Sequence, residues 1–439
     1  MGHVIVIGGG ASGMMAAISA SYHGAEVTIV EHMERIGKKL LSTGNGKCNF
    51  TNARQSPEFY LSENGDFAWK IVSRFGQKET CALFQELGVY PKERNGYYYP
   101  YSGQASSVLD ALRMELARLG VGIRTGQECV GVIPKKSGFC VKLADGELVG
   151  DKVVLAAGSK AAAKTGSDGS GYRLAKALGH HVITPLPALV QLKCAEDFYK
   201  GIAGVRIQGT VSIYAGSRNE TKKGLCQNVL DKGGREKRFL ASDQGEIQLT
   251  TYGISGIPVF QVSRYAAKAL HEGENVMARM DFMPELSQEG LLDALARRAL
   301  ARPQKKAEDF LTGMFPGKLN ALWLRLSGIE RMTAAGALSP TALRALVRAI
   351  KQFETRVVAT NSYGQAQVCR GGVDIREVDA GTLESQKVPG LYFAGEILDV
   401  DGPCGGYNLQ WAWSSGYVAG KEAANHASSE SVKHGTGTR

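Results

Sequence analysis

No two of the eight cysteines stand at CxxC or zinc-ligand spacing; they are scattered at 48, 81, 129, 140, 194, 226, 369 and 404. That pattern excludes a zinc module and gives no disulfide framework. The thiols read as reduced ones of a cytoplasmic protein, and no metal is expected. The sequence has no uninterrupted apolar run of membrane-spanning length. It opens directly on HVIVIG, with neither a basic n-region nor a cleavage site, which predicts no secretory leader. No internal repeat stands out.

Glycine is abundant instead, with 55 residues in 439 and no collagen period, so tight turns and close backbone approaches are expected. The length exceeds one ordinary core and predicts two or three domains. A formal net charge of +10 favours anionic partners such as nucleic acid, phosphate-bearing cofactors or carboxylates, although a merely basic soluble protein fits as well. Lys and Arg concentrate at 218–238 and 296–306, runs that also suit solvated faces.

The chain begins as a βαβ unit. HVIVIG is a strand, GGGASGMMAAISASYHG a Gly-rich turn and helix, and AEVTIVE a second strand ending on Glu31. Residues 66–90 read as helical, and 106–120 as an amphipathic helix with Val108, Leu109, Leu112, Leu116 and Leu119 on one stripe. Short strands with hairpin turns follow to residue 158. From about 186 the pattern becomes alternating β, then mainly helical over 286–352 with breaks at Pro303, Pro316 and Gly336. LYFAGE returns as a strand, and GGYNLQWAWSSGYVAG opens a final helix.

Gly8, Gly10 and Gly13 form GxGxxG between a strand and a helix, and Glu31 ends the next strand. In that context the motif is a dinucleotide fingerprint: a tight turn, backbone approach to a pyrophosphate, and close helix–strand packing. The N–H groups that open the helix, at Ala11 and Ser12, favour phosphate. Glu31 would accept hydrogen bonds from an adenosine ribose. Arg35, Lys38 and Lys39, followed by Gly44 and Asn45, suit an extended anionic cofactor, or an ordinary basic loop. VVLAAGS, with Ala157 and Gly158, offers small residues beneath a dinucleotide. TGSDGSGY at 165–172 lacks the spacing of a second phosphate loop.

VIGGGASGMMAA, GKKLLSTGNGKCNFTN, TGSDGSGY, YGISGIPVFQVS and PGLYFAGEILDVDGPCGGYNLQWAWSSGYVAG together resemble the BaiN-like flavoprotein family, also called the YhiN or RdsA group. The resemblance spans the chain apart from its polar tail. GYYYPYSG at 96–103 departs from the GRVFPxS expected there, which leaves no arginine for a family role. The resemblance implies an α/β protein whose Rossmann-like FAD-binding domain is discontinuous, 1–186 with 355–425. A β-barrel-like plus helical insert occupies 187–354, and a disordered tail 426–439. It adds Leu40, Val130, Gly395, Glu396, Gly406, Tyr407, Asn408 and Leu409 to the cofactor set. The start of the last helix would face the flavin edge that becomes negative on reduction. Trp411 and Trp413 read as packing.

The implied chemistry is hydride transfer from FAD to a carbon–carbon double bond conjugated to a carbonyl, with NADH or NADPH as electron donor. Two substrates fit: a 3-oxo-Δ4,6 steroid of the bile-acid type, slightly preferred, and a uridine of ribosomal RNA. A flavin-binding protein without turnover is the reading of another class. Cys48, Cys404, Tyr101 and Tyr407 are candidate proton donors, and for each a packing or positioning role is the alternative.

Overall fold

The computed structural model describes residues 2–63, 65–216 and 237–434, with side chains as far as Asn425 in the last helix. The chain divides into two compact units, residues 1–186 with 366–439, and 187–365.

The first unit is built on a five-stranded parallel sheet. Its order is Leu391–Phe393, Lys152–Leu155, His3–Ile7, Glu26–Val30, Gly122–Arg124. The central strand HVIVI is apolar almost throughout because a parallel sheet is covered on both faces. On one face lies the helix Ala11–Tyr22, whose small residues are buried nearly all round. The last helix, Tyr407–His434, packs on it. A Cβ at Gly416 would collide with Ser12 O, and one at Gly420 with Ala16 O, so these glycines let the two helices meet backbone to backbone. Ser19 Oγ donates to Tyr417 O at 2.7 Å across the same seam. Trp411 and Trp413 are buried too, Trp411 edge-on to Phe67 and Trp413 edge-on to Phe84, in agreement with their reading as packing residues. The last helix continues through His434, into the stretch expected to be a disordered tail; residues 435–439 lie outside the described residues.

A small antiparallel sheet, Thr51–Asn52, Tyr97–Pro100 and Pro91–Arg94, also belongs to the first unit. Period-2 alternation sends Tyr98 inward against Phe50, ring centroids 6.4 Å apart, and puts Tyr97 and Tyr99 on the opposite face.

The second unit holds a closed antiparallel barrel in the order Leu192–Cys194, Gly253–Ser255, Arg238–Thr250, Arg206–Gly216, Asn275–Asp281, Phe353–Thr360. Its helices Gln288–Ala301, Gly317–Leu326 and Pro340–Lys351 are separated near the proline and glycine positions that the sequence marks as breaks. The return to the first unit was expected at 355. Here the strand Phe353–Thr360 completes the barrel, and the return comes at Ala366. Of the basic run 218–238, residues up to 236 lie outside the described residues; Arg238 pairs with Glu274 at 2.8 Å. In the run 296–306, Arg298 donates to Phe310 O at 2.6 Å and Thr312 O at 2.5 Å, so one of its cations ties down the unit's own backbone.

Candidate active site

Part of the expected cofactor set follows the carboxyl ends of four neighbouring parallel strands. In sheet order these residues are Gly395–Glu396 after Phe393, Ala157–Gly158 after Leu155, Gly8–Gly13 after Ile7, and Glu31 after Val30. Ligands of open parallel sheets bind at this edge. At the usual strand spacing the row extends roughly 14 Å.

The glycines of the first turn do different work. At Gly8 φ is +105°, and a Cβ there would press on Ala156 O. A Cβ at Gly13 would strike Gly8 O, so this residue sets the contact between helix and strand. At Gly10 a Cβ would meet nothing within 4 Å. This position borders open space at the N-terminus of a helix that no side chain caps and no acidic residue precedes in its first turn. That is a fitting cradle for a pyrophosphate. Glu31 is buried, and its carboxylate accepts from Gly9 N and Met33 N, each at 2.8 Å. An ionised carboxylate has about four acceptor positions, and with His32 Nδ1 3.5 Å from Oε1 at least one stays available for a ribose hydroxyl. The residues present thus fit the adenosine half of a dinucleotide.

Around this end, Ser167 Oγ donates to Ser159 O at 2.9 Å, and Asp168 accepts from Ser170 N at 2.9 Å. The TGSDGSGY segment braces the loop after Leu155. Val130 is 58% exposed, on the strand Cys129–Pro134, while nearby Gln127 N donates to Glu31 O at 3.0 Å. Arg35 is exposed, Lys38 half-buried and Leu40 buried. Lys39 is engaged: its ammonium lies 2.7 Å from Glu396 Oε2, which also accepts from Ser159 Oγ at 3.0 Å. Three separate segments therefore meet at Glu396. Gly395 is held from the last helix, its N–H donating to Ser415 Oγ at 2.9 Å and its carbonyl accepting from Trp411 Nε1 at 3.1 Å.

At the other end, the start of the last helix is clamped against residues 49–52. Gly406 has φ +94°, and a Cβ there would stand 2.7 Å from Thr51 O, so no side chain fits. Asn49, oriented so that both ends of its amide are satisfied, donates to Thr51 O at 3.0 Å and Tyr98 O at 3.1 Å and accepts from Gly406 N at 3.3 Å. Asn52 Nδ2 donates to Gly405 O at 2.9 Å. Asn408 closes the preceding loop through Gly402 N and Gly402 O, both at 2.8 Å, so its side chain serves the loop. The buried Gln410 has Nε2 within hydrogen-bond distance of Thr80 Oγ1 and Ser414 Oγ at 2.9 Å and Phe75 O at 3.2 Å, three acceptors for its two protons, and accepts from Thr51 Oγ1 at 2.5 Å, while Ser414 Oγ itself donates to Phe75 O at 2.6 Å. Leu409 is half-buried between these anchors. Gly44 and Asn45 adopt left-handed backbone in a tight loop, and Tyr99 Cε1 lies 3.6 Å from where a Gly44 Cβ would be.

The four candidate proton donors separate. Cys48 is fully buried, and burial pushes its thiol up to about 12. Tyr407 is buried, stacked on Phe59 with ring centroids 4.6 Å apart; burial first, then neighbouring Tyr97, push its phenol up to about 12. Tyr101 is 70% exposed, with the Lys92 ammonium 5.0 Å from its ring centroid. Cys404 is half-buried beside Gly405. Sequence reasoning missed Tyr97, whose Cε1 lies 3.0 Å from where a Gly405 Cβ would be. Its signal was the two-residue alternation of the YYYP strand, legible only once Tyr98 is known to face the core. It also missed Asn49, Asn52 and Gln410.

Among the described residues no cluster suited to a metal ion is present, and no helix is long and apolar enough to cross a membrane. Residues 2–422 match the family described as HI0933-like protein Rossmann domain. The chain is 44% identical to a 3-dehydro-bile acid delta(4,6)-reductase of Clostridium scindens, over 97% of this chain and 99% of that protein. It is 29% identical to a ribosomal RNA dihydrouridine synthase of Haemophilus influenzae, over 94% of this chain and 96% of that one. With the Escherichia coli protein of the same name the identity is 28%, over 95% and 97%. A family match across the Rossmann unit and its insert, on a sheet of the corresponding topology, makes this chain a member of the HI0933-like Rossmann-domain family.

Proposed function

We propose that this protein is an FAD-dependent oxidoreductase of the CH–CH class that reduces a double bond conjugated to a carbonyl in a 3-oxo-Δ4,6 steroid of the bile-acid type. The observation that carries the reading is the 44% identity to the bile-acid reductase over nearly the full length of both chains. The carboxyl-edge row supports the cofactor: Gly10 leaves room for pyrophosphate, the first helix offers N–H groups, and Glu31 receives the ribose. FAD, when bound and reduced, would supply hydride for the β-carbon of the substrate, with a proton for the α-carbon coming from solvent or a neighbouring acid. The start of the last helix, Tyr407 to Leu409, has no acidic residue in its first turn and would stabilise negative charge at the flavin edge, while Gly406, whose N–H is taken by Asn49, sets the close backbone approach. NADH or NADPH is the proposed electron donor, and the cytoplasm the proposed location. Cys48, enclosed and with a raised thiol pKa, is left out of the chemistry.

The 28–29% identity to ribosomal RNA dihydrouridine synthases and the net charge of +10 favour a second reading, reduction of a uridine ring in ribosomal RNA. One experiment separates the two. The holoprotein is reduced without oxygen and mixed with a 3-oxo-Δ4,6 steroid or with unmodified ribosomal RNA. Return of oxidised-flavin absorbance with the steroid is expected. Return with RNA alone establishes the second reading. Oxidation by neither leaves a flavin-binding protein without this turnover.

A further inference from the structure

Two segments of the expected cofactor set, one with Gly44 and Asn45 and the other with Gly406 to Leu409, meet on a single half-buried residue, Asn49. Residues 43–48 form a tight loop in which Gly44, Asn45, Gly46 and Cys48 all have positive φ. The loop leads into Asn49, whose backbone nitrogen lies 2.8 Å from where a Gly44 Cβ would be. The Asn49 side chain reaches the start of the last helix. Both protons of its amide nitrogen are used, on Thr51 O at 3.0 Å and Tyr98 O at 3.1 Å. That turns the amide oxygen toward Gly406, whose N–H it accepts at 3.3 Å. Helical bonding begins one step later, with Gln410 N on Gly406 O at 2.9 Å. The N–H groups of Tyr407, Asn408 and Leu409, between these two bonds, have no intrahelical partner.

We infer that Asn49 is a positioning residue that tunes the reduction potential of the bound flavin: it fixes the direction of those N–H groups and brings no charge to them. The inference rests on the reading under Proposed function, in which the start of the last helix faces the flavin edge. Reduction adds two electrons and one proton to the flavin and leaves it with a net negative charge, which the positive end of a helix favours. The place held by Asn49 calls for two donors and one neutral acceptor on a short side chain. A carboxylate of the same shape could accept from Gly406 N–H, but it has no proton for Thr51 O or Tyr98 O. Its charge would also oppose the helix end in a site partly shielded from water. A serine hydroxyl could replace only part of the set, and would leave the helix start less firmly aimed.

The test measures the reduction potential of FAD in the holoprotein at pH 8, without substrate turnover. Xanthine and xanthine oxidase supply the electrons, and a reference dye reports the potential. Asn49→Asp should lower the ratio of reduced to oxidised flavin at a given dye potential by about tenfold or more, tenfold being about 30 mV for a two-electron couple. Asn49→Ser, which loses donors but stays neutral, should lower it about threefold. Both variants should also lose stability in denaturant titration. A clamp with only a structural role would lower stability in both and change the potential in neither. A ratio in both variants within about twofold of wild type, with flavin bound, therefore overturns this inference and leaves the reductase reading standing. An equal fall in the two also overturns it, because the introduced charge would then not reach the flavin. Flavin absorbance and circular dichroism show whether each variant is intact. If the charged variant loses FAD, Asn49→Ser carries the test, and an unchanged potential in it overturns the inference. A tuned potential in a protein that does not reduce the steroid overturns the reductase reading alone. A wild-type protein that holds no FAD overturns both.

Discussion

The two ends of the candidate site are built on different plans. At the Glu31 end the parts are local: a turn, a helix start and a carboxylate, all within residues 8 to 31. At the aromatic end the backbone of Gly405–Gly406 is positioned by amide side chains from Asn49 and Asn52, far away in sequence. The first end leaves a gap beside Gly10, whereas the second is held tight by side chains that bond the chain's own backbone. Motif reading suits the first plan and fails on the second, because a clamp made of distant partners leaves no spacing to recognise.

The sharpest way to break this contrast is at two glycines of one motif. Gly13→Val drives a side chain into Gly8 O, and the first unit should not fold; soluble expression and circular dichroism would show the loss. Gly10→Val places its side chain in open space, so the fold should survive with little change in melting temperature. Flavin affinity should nevertheless fall at least a hundredfold, read by retention of the yellow chromophore and its identification as FAD. Equal behaviour of the two variants would mean that Gly10 has no ligand to clear.

At the other end, Gln410→Leu strips partners from Thr51, Thr80, Ser414 and Phe75 O within the core. Unfolding stability should drop by about 2–3 kcal/mol in denaturant titration. The flavin absorbance envelope should shift as the helix start loosens. A stability loss without any spectral change would detach this clamp from the isoalloxazine.

The smallest effect is electrostatic. His180 is buried against Phe393, with ring centroids 4.8 Å apart, and Nε2 lies 2.8 Å from Ser385 Oγ. Burial lowers its pKa below the ordinary 6.5, outweighing the nearby Glu377 carboxylate. The folded state then binds its proton less readily than the unfolded one. Its stabilising contribution is present above pH 6.5 and is lost as pH falls through the folded pKa. Melting temperature should decline below pH 6.5 by an amount that His180→Gln removes. An identical slope in the variant would assign the decline to other groups.

These particulars show what the sequence disclosed. The βαβ unit, the parallel strands, the change to alternating β and then helix after 186, and the proline-marked helix breaks were legible because each rests on periodicity or on the stereochemistry of Gly and Pro; that the insert is barrel-like was implied only by the family resemblance. So were Gly8, Gly10, Gly13 and Glu31. Glu396 was legible as a position but not as an ion pair, since Lys39 stands 357 residues before it. The same holds for Gln410, one of whose acceptors, Phe75 O, lies 335 residues away. Tyr97 was hidden for another reason: three adjacent tyrosines look equivalent until the pleat assigns one to the core and two to the other face.

The glycine seam between the first and last helices has a consequence for how the protein is made. Ser12 and Ala394 are partners across 382 residues, and Gly416 and Gly420 close over Ser12 and Ala16 later still. On a ribosome the alanine-rich helix emerges early and its covering face is among the last segments to follow. Closing so long a separation is slow and leaves apolar surface uncovered while it waits. The barrel strands, continuous between 187 and 365, face no such delay. The cofactor unit begins first and finishes last, so nascent chains stalled before residue 416 should be the ones that chaperones hold.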